Sequence, residues 1–273
     1  MPFKFEEWMN HQYLQQGYLI FRHIIPDTLL NELRREADKA RLFAHQINGP
    51  QTQRIQPISK FGDKIDLRPF ENYVELDEIH LAVTGLLGEG HTPAHLDIMG
   101  ILVEPQQSPW HCGWHRDGVV EVPPEGRDEV VNSFMNQVWY DLRIYNQVNC
   151  ALYQDSCTWF VPGSHLRQKD LPGEMQSTGD PGLRNMPDDW TNEKMEQHVF
   201  THCRNMPGAI PVHLEPGDYM IYRNLGWHCG VYLPYQPRAT IHDVVSHDAT
   251  IPWREEWSKV KKAAVARMKT TPE

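Results

Sequence analysis

The sequence has little of what marks a disulfide scaffold or a membrane protein. Its 5 cysteines are odd in number and none lies in a Cys-x-x-Cys spacing, so we expect reduced thiols and neither a disulfide framework nor a thiolate zinc site. No apolar run approaches the roughly 18 residues of a membrane-spanning helix, and residues 1–10 lack the charged and then apolar plan of a signal peptide. These absences predict a cytoplasmic protein without a membrane partner.

Basic residues are also scarce and dispersed. The chain has 26 Lys and Arg against 36 Asp and Glu, a formal net charge of -10, and only Lys259, Lys261 and Lys262 stand out as a basic group. Binding to nucleic acid needs a basic face that neutralises phosphates, so we expect no nucleic-acid partner. With 40% hydrophobic residues, the 273 residues can form one core, and we predict a single domain over 1–273.

Residues 1–90 have mainly helical patterns. Helices are predicted over 5–16, from Asp27 onward and over 76–87, with a short strand over 18–21. Glycine directly follows two of the predicted helices, where it is frequent because it tolerates the left-handed backbone conformation. We therefore expect this part to form a helical layer packed outside a sheet.

From Ala94 onward the pattern changes to short apolar runs separated by proline and glycine. Such runs are typical of antiparallel strands in a sandwich or barrel, and we predict this core over 94–245. The stretch 168–207 is too long for a hairpin and is expected to be an inserted loop or lid. A terminal helix is predicted over 253–269. The predicted strands are 96–103, 147–153, 158–161, 210–214, 218–222 and 239–245.

Two distant segments contain residues that could hold one metal ion. In His115-x-Asp117 the side chains of residues i and i+2 would point to the same face of an extended strand. His228 lies far along the chain, directly after a predicted strand. Two histidines and one carboxylate leave three positions open on the metal, as iron(II) needs to bind a bidentate co-substrate and dioxygen.

The His-x-Asp pattern alone is weak, because a chain with 15 histidines contains such a pair by chance. His95-x-Asp97 is the rival pair, but it opens an apolar run that indicates an ordinary strand position. We favour His115 and Asp117 because glycines flank them and let the backbone bend near a bound group. His165 follows a Gly-Ser turn, and we interpret it as part of that turn.

An arginine follows His228 in the sequence at a spacing that could bring it to the same site. Arg238 comes 10 residues after His228, which is enough for a turn and a return on an adjacent strand. A guanidinium group there could bind a carboxylate with two hydrogen bonds, and Thr240 would face the same way and add a hydroxyl.

The order of these features resembles the phytanoyl-CoA dioxygenase family of iron(II)- and 2-oxoglutarate-dependent oxygenases. The matching segments are His115-x-Asp117, Val-Pro-Gly-Ser-His at 161–165, Glu-Pro-Gly-Asp at 215–218, His228 and Arg238, all within about 94–245. The resemblance implies a double-stranded β-helix, the cupin-like jelly roll, that is mainly β with flanking helices. Cys157 and Gly230 depart from residues that are frequent in the family.

The resemblance also implies roles for individual residues. His115, Asp117 and His228 would bind Fe(II), Arg238 and Thr240 would bind 2-oxoglutarate, and Asn149 would lie beside that co-substrate. The expected activity is a dioxygenase that uses O2 to hydroxylate a small-molecule metabolite, with release of succinate and CO2. We expect no catalytic group beyond the metal centre.

Two other functions stay open: a zinc-dependent hydrolase or isomerase on the same His/Asp/His cage, and a non-catalytic binding protein. The substrate and the oligomeric state cannot be read from the sequence. Trp114 and Trp227, next to the proposed ligands, are expected near the substrate. The polar candidates for anchoring an acidic substrate are Arg127, Arg143, Tyr145, Arg184 and Arg223.

Overall fold

The computed structural model describes residues 3–92, 94–119, 122, 134–174, 186–187 and 189–270. The first part is mainly helical, as predicted, and contains the predicted strand over 18–21. It also contains a two-residue strand at 54–55 and a short third helix that the sequence pattern did not indicate. The helices here are α1 (Glu7–Gln16), α2 (Asp27–Asn48), α3 (Arg68–Val74) and α4 (Asp77–Leu87). Helix α1 ends at Gly17, whose φ of 81° is the left-handed conformation that glycine adopts easily.

Strands dominate the chain from residue 91 to residue 247, within the described ranges. Two strands precede this region, β1 (Tyr18–Phe21) and β2 (Arg54–Ile55). Those within it are β3 (His91–Thr92), β4 (Gly100–Val103), β5 (Trp110–His111), β6 (Asn146–Ala151), β7 (Thr158–Phe160), β8 (Ile210–Pro211), β9 (Tyr219–Arg223), β10 (His228–Tyr232) and β11 (Ala239–His247). Strands β5 and β10 were missed by the sequence analysis. Both are short, and β10 carries histidine, cysteine and glycine instead of a run of β-branched residues.

The strands form two antiparallel sheets. The larger has the order β1-β9-β6-β11-β4-β2, with β3 paired to β11, and the smaller has the order β5-β10-β7-β8. The predicted class, mainly β with flanking helices, is confirmed. Within the parts of the chain that the structure describes, no helix is long and apolar enough to cross a membrane.

The two faces of the larger sheet carry different side chains, because alternate residues of a strand point to opposite sides. Val148, Ile221 and Ile241 belong to the apolar cluster that includes residues of α2, α3 and α4. Their neighbours Asn149 and His242 face the other way and line a cavity together with residues of the smaller sheet. The candidate site therefore lies between the sheets, and the helices cover the outer side.

The stretch 168–207 is not only a loop, because it contains helix α5 (Asn192–Asn205). The Thr191 side chain accepts a hydrogen bond from the backbone N–H of Lys194 and caps the helix, while Val199 and Cys203 bury its inner face. Residues 175–185 and 188 of this stretch lie outside the described residues, so the lid stays a prediction. The terminal helix α6 (Ile251–Thr270) is close to the predicted range.

Candidate metal centre

The two histidines of the predicted triad are paired through their backbones. The N–H of His115 donates to the carbonyl of His228 at 3.0 Å, and the N–H of His228 donates to the carbonyl of His115 at 3.1 Å. Directly opposite residues of an antiparallel pair bring their side chains close together on one face. The ring centroids are 4.2 Å apart, so the register between two distant segments places both imidazoles at one point.

Asp117 does not lie on a strand, contrary to the prediction, but in a turn that follows His115. Gly118, with φ of 77°, allows the chain to turn back here. The turn is held by the backbone N–H of Asp117, which donates to the carbonyl of Asn224 at 2.8 Å. The carboxylate therefore reaches the histidines through a loop contact, and not through strand alternation.

The three side chains meet. The distance from Nε2 of His115 to Oδ1 of Asp117 is 3.6 Å, and from Nε2 of His228 to Oδ2 of Asp117 it is 3.8 Å. One ligand atom from each residue lies within 4.8 Å of the other two. The Nδ1 atoms bond the carbonyls of Gly113 at 2.8 Å and Gly226 at 2.9 Å, so each imidazole can present a lone pair on Nε2 to a metal ion.

Two amides support the carboxylate. Nε2 of Gln147 and Nδ2 of Asn224 both donate to Oδ2 of Asp117, at 2.5 and 2.9 Å. The hydroxyl of Tyr222 donates to Oε1 of Gln147 at 2.6 Å and orients that amide. Sequence analysis missed all three residues, although Gln147 stands two positions before Asn149 and so shares its face of β6.

The three side chains of the triad shift one another's pKa values. Burial, with His115 next to it, lowers the pKa of His228 to about 4. Burial acts in the same direction on His115, but the Cys112 thiol and the Asp117 carboxylate outweigh it and raise the pKa of His115 to about 9. Burial alone would raise the pKa of Asp117, yet the two imidazoles hold it below its ordinary value. A metal ion would replace the proton that this group shares.

Arg238 is buried and firmly oriented. Its Nε donates to Oδ2 of Asp155 at 2.9 Å and to the hydroxyl oxygen of Thr240 at 3.2 Å, and its guanidinium carbon lies 4.1 Å from the ring centroid of Tyr232. Although burial disfavours the charge, the Asp155 carboxylate keeps the pKa of Arg238 above its ordinary value. Nη1 of Arg238 is buried and has no hydrogen-bond partner among the residues that the structure describes. A buried donor without a partner is costly and is the natural place for an anionic ligand.

Thr240 has a different environment from the predicted one. Its hydroxyl donates to Oδ2 of Asp155 at 2.5 Å, so its single proton is already used inside the protein. The structure explains why residue 230 is a glycine. A Cβ at this position would come within 2.9 Å of the Tyr232 ring, which stacks on Arg238. The departure from the family residue at 230 thus leaves room for that ring.

The triad and Arg238 border the same cavity of about 220 Å³. Asn149 also lines it, with Oδ1 2.8 Å from Nδ1 of His242 and Nδ2 donating to Thr158 at 3.1 Å. His242 continues the face of Arg238 and Thr240 along β11, a spacing that could have indicated it from the sequence. The other lining residues are Arg54, Leu102, Trp110, Cys112, Gln147, Tyr222, Cys229, Gly230 and Tyr232.

The rival and auxiliary candidates lie elsewhere. His95 and Asp97 are largely exposed on a turn, 69% and 70% by side chain, and not on the strand that was predicted for them. His165 lies in a short 3-10 turn, with Nε2 3.0 Å from the carbonyl of Leu14. The placement of Trp114 and Trp227 near the substrate was wrong, because both are buried in the apolar cluster between the smaller sheet and α5.

The predicted substrate anchors do not reach this cavity. Arg223 is buried and donates to the carbonyls of Trp139, Asp141 and Ile144, which gives it a structural role. Arg143 and Tyr145 line a different cavity, beside α6. Arg127 and Arg184 lie outside the described residues. Arg54, on β2, is a cation that does line the metal-site cavity, and the sequence analysis did not single it out.

Comparison with known proteins shows the fold. Neither protein-family models nor curated proteins give a match to the sequence. Solved structures do: the non-heme alpha-ketoglutarate-dependent epimerase SnoN from nogalamycin biosynthesis has 15% identity over 88% of this chain and 82% of its own, with a TM-score of 0.52. The chain has the jelly-roll fold of these proteins.

Two further solved structures support the same conclusion. HygX from Streptomyces hygroscopicus, with nickel and 2-oxoglutarate bound, has 14% identity over 89% of this chain and 88% of its own, with a TM-score of 0.56. The non-heme alpha-ketoglutarate-dependent carbocyclase SnoK has 17% identity over 90% and 85%, with a TM-score of 0.53. At such identities the likeness establishes the shared architecture, and residue roles rest on the geometry of this chain.

Proposed function

We propose that this protein is an iron(II)- and 2-oxoglutarate-dependent oxygenase that hydroxylates a small-molecule metabolite and resembles the phytanoyl-CoA dioxygenases. One observation carries the proposal: the His115, Asp117 and His228 triad opens onto a cavity that also holds the buried guanidinium group of Arg238, whose Nη1 has no hydrogen-bond partner within the described ranges. The triad can hold a metal ion with open positions, and Arg238 can pair with the far carboxylate of a bidentate co-substrate.

The donor set fits iron(II). Two neutral imidazoles and one carboxylate on one side of the ion are the ligand set of non-haem iron oxygenases, which keep the remaining positions for co-substrate and dioxygen. When bound, iron and 2-oxoglutarate would supply the oxidation, in which O2 and 2-oxoglutarate give succinate and CO2 while a substrate C–H bond becomes C–OH.

The protein supplies position and charge. Gln147 and Asn224 hold the Asp117 carboxylate, and the backbone carbonyls of Gly113 and Gly226 hold the imidazoles. Asp155 holds the guanidinium group of Arg238, which lines the cavity. Thr240 acts through Asp155 rather than as a direct contact, and Asn149 lies in the cavity wall beside His242.

Polar side chains make up much of the cavity wall, which favours a small polar substrate over a long apolar chain. Arg54 is the cation of that wall outside the proposed co-substrate site, and we infer that it contacts an electron-rich group of the substrate. Because the similar folds include an enzyme described as an epimerase and one described as a carbocyclase, hydroxylation is our choice among several oxidative outcomes.

A zinc hydrolase on the same three ligands is the main competitor. Nothing in zinc hydrolysis requires the buried guanidinium group, whereas a 2-oxoglutarate carboxylate does. Anaerobic addition of iron(II) and then 2-oxoglutarate should produce a weak visible charge-transfer band in the wild type. The Arg238→Lys protein should need more 2-oxoglutarate to reach the same band.

A screen for succinate release against a metabolite library, with iron(II), ascorbate and 2-oxoglutarate, would then find the substrate class. Absence of the charge-transfer band at saturating iron and co-substrate, together with hydrolysis by a zinc-loaded preparation, would contradict the proposal. Absence of turnover despite a normal band would indicate a binding protein on the same fold.

A further inference from the structure

A second group of potential metal ligands lies on the opposite face of the smaller sheet. On β10 the side chains of His228 and Tyr232 face the cavity, whereas those of Cys229 and Val231 between them pack on the other face with Val199 and Cys203 of helix α5. Cys229 on β10 and His111 on β5 thereby meet Cys203, which projects from α5. The group joins three elements that are far apart in the sequence.

The distances within this group match a tetrahedral site. Sγ of Cys203 lies 3.7 Å from Sγ of Cys229 and 3.6 Å from Nε2 of His111. Zinc with Zn–S of about 2.3 Å and Zn–N of about 2.0 Å in tetrahedral geometry has S–S edges of about 3.8 Å and S–N edges of about 3.5 Å. The three ligand atoms all lie within 4.8 Å of one another, so one ion can touch all of them.

We propose that His111, Cys203 and Cys229 form a second metal site that binds zinc and clamps helix α5 onto the smaller sheet. Two sulfurs and one imidazole suit zinc, while oxygen-preferring ions select carboxylates and waters. The fourth position is left for a water molecule or for His202, whose ring centroid lies 5.5 Å from that of His111. The ligand set has no carboxylate and differs from that of the His115, Asp117 and His228 centre.

One hydrogen bond of the His111 imidazole fixes where its proton lies in the metal-free protein. Its Nδ1 accepts a hydrogen bond from the N–H of Gly113 at 3.0 Å, which leaves the proton of the metal-free ring on Nε2. Zinc at Nε2 needs this proton on Nδ1, where it would face the N–H of Gly113, so binding breaks that hydrogen bond and moves the two groups apart. The two thiols release their protons to solvent, and the three metal–ligand bonds offset these costs.

Gly113 connects the two centres. In the metal-free protein its N–H donates to Nδ1 of His111 in the second site, and its carbonyl accepts from Nδ1 of His115 in the first. Cys229 also directly follows His228 along β10. A zinc ion at the second site would therefore hold the backbone on which both histidines of the first site are mounted, without touching its substrate.

Cobalt(II) distinguishes the two sites, because only a thiolate ligand gives a sulfur-to-cobalt charge-transfer band in the near ultraviolet. The titration uses the full chain, anaerobic and with a phosphine reductant. The wild type should show this band, and the His228→Ala protein should keep it with one cobalt bound. Zinc should remove the band by displacement and should raise the melting temperature of His228→Ala.

The control variants show which residues produce the charge-transfer band. Cys203→Ser and His111→Gln should each lose most of the band, while Cys112→Ser, which removes a thiol that lines the first cavity, should keep it. Circular dichroism verifies that each variant is folded, and the two ligand variants serve as checks on each other. Absence of the band in the reduced wild type, or its loss in Cys112→Ser and retention in Cys203→Ser, would overturn the second site. Neither result bears on iron binding by the first.

Discussion

His115 and His228 are directly opposite residues of an antiparallel bridge, and each donates its backbone N–H to the carbonyl of the other. Their Nδ1 atoms are held by the carbonyls of the residues two positions before them, Gly113 and Gly226. The same local arrangement therefore occurs twice, once on each strand. It fixes both Nε2 atoms toward Asp117 before any ion is present, which is the preorganisation that a metal centre needs.

Removal of one metal ligand tests the first centre. His228→Ala should weaken iron(II) binding by roughly 100-fold or more, since even the loss of a supporting residue costs roughly 10–100-fold. Anaerobic metal titration measures this affinity, and circular dichroism follows the fold, which should persist. His95→Ala is the matched control from the exposed His-x-Asp pair and should bind iron like the wild type. Unchanged iron affinity in His228→Ala would remove this residue from the site.

The proposed contact between Arg238 and 2-oxoglutarate can be tested by a substitution that keeps the positive charge. Arg238→Lys should raise the 2-oxoglutarate concentration needed for half-maximal binding by roughly 10-fold or more, because lysine cannot form the bidentate contact with a carboxylate. Iron affinity should stay the same. Arg143→Lys, at an arginine that pairs with Asp141 outside the cavity, is the control.

Replacement of Arg238 by an uncharged residue should have a second effect. Asp155 is 2% exposed and would lose its cationic partner, so Arg238→Met should destabilise the fold by about 3–5 kcal/mol. The double variant Arg238→Met, Asp155→Asn should recover part of this loss and still fail to bind 2-oxoglutarate tightly. Urea unfolding of the two proteins measures the difference. Equal stability of the single and double variants would show that the pair is not coupled.

The Gln147 amide, which supports Asp117, should affect iron binding although it does not itself bind the metal. Gln147→Leu removes one of two hydrogen bonds to Oδ2 of Asp117 and should lower iron(II) affinity by roughly 10-fold to 100-fold. Gln154→Leu, at a glutamine that bonds Glu215 outside the cavity, provides the comparison. An iron affinity in Gln147→Leu equal to that of this control would show that Asn224 alone is sufficient.

Asp243 should make stability depend on pH. Burial raises the pKa of this carboxyl group to about 7, against about 3.9 in an unfolded chain. The folded protein therefore holds the proton between pH 4 and 7, so the contribution of Asp243 is fully present below about pH 4 and is lost as pH rises through about 7. Asp243→Asn should be more stable than the wild type at pH 8, by on the order of 4 kcal/mol, and should lose this advantage at pH 4.

Thermal melts of the two proteins from pH 4 to pH 8 measure this difference. The exposed Asp248→Asn variant should differ from the wild type by a constant amount over the same range. A constant difference for Asp243→Asn as well would mean that this carboxyl group is already ionised in the folded protein at pH 4.

Particular elements show how far sequence patterns reach. The periodicity after Asp27 predicted α2, and the alternation of residues 239–245 predicted β11. An amphipathic helix or a half-buried strand repeats apolar residues at its own structural period, so the segment's sequence alone indicates it. Strand β10 has no such pattern, since its cavity-facing residues are a histidine, a glycine and a tyrosine instead of apolar residues. Helix α5 was missed because its segment is rich in polar residues and the apolar face is small.

The sequence by itself determined the chemistry that is available: two histidines and an aspartate in a fixed order, and an arginine at a set distance beyond the last. Only the tertiary structure decided which His-x-Asp pair meets His228, that Thr240 serves Asp155, and that two cysteines and His111 gather behind the sheet. The physical reason is that backbone pairing between distant segments sets which side chains share a face, and such pairing depends on register that no local pattern contains.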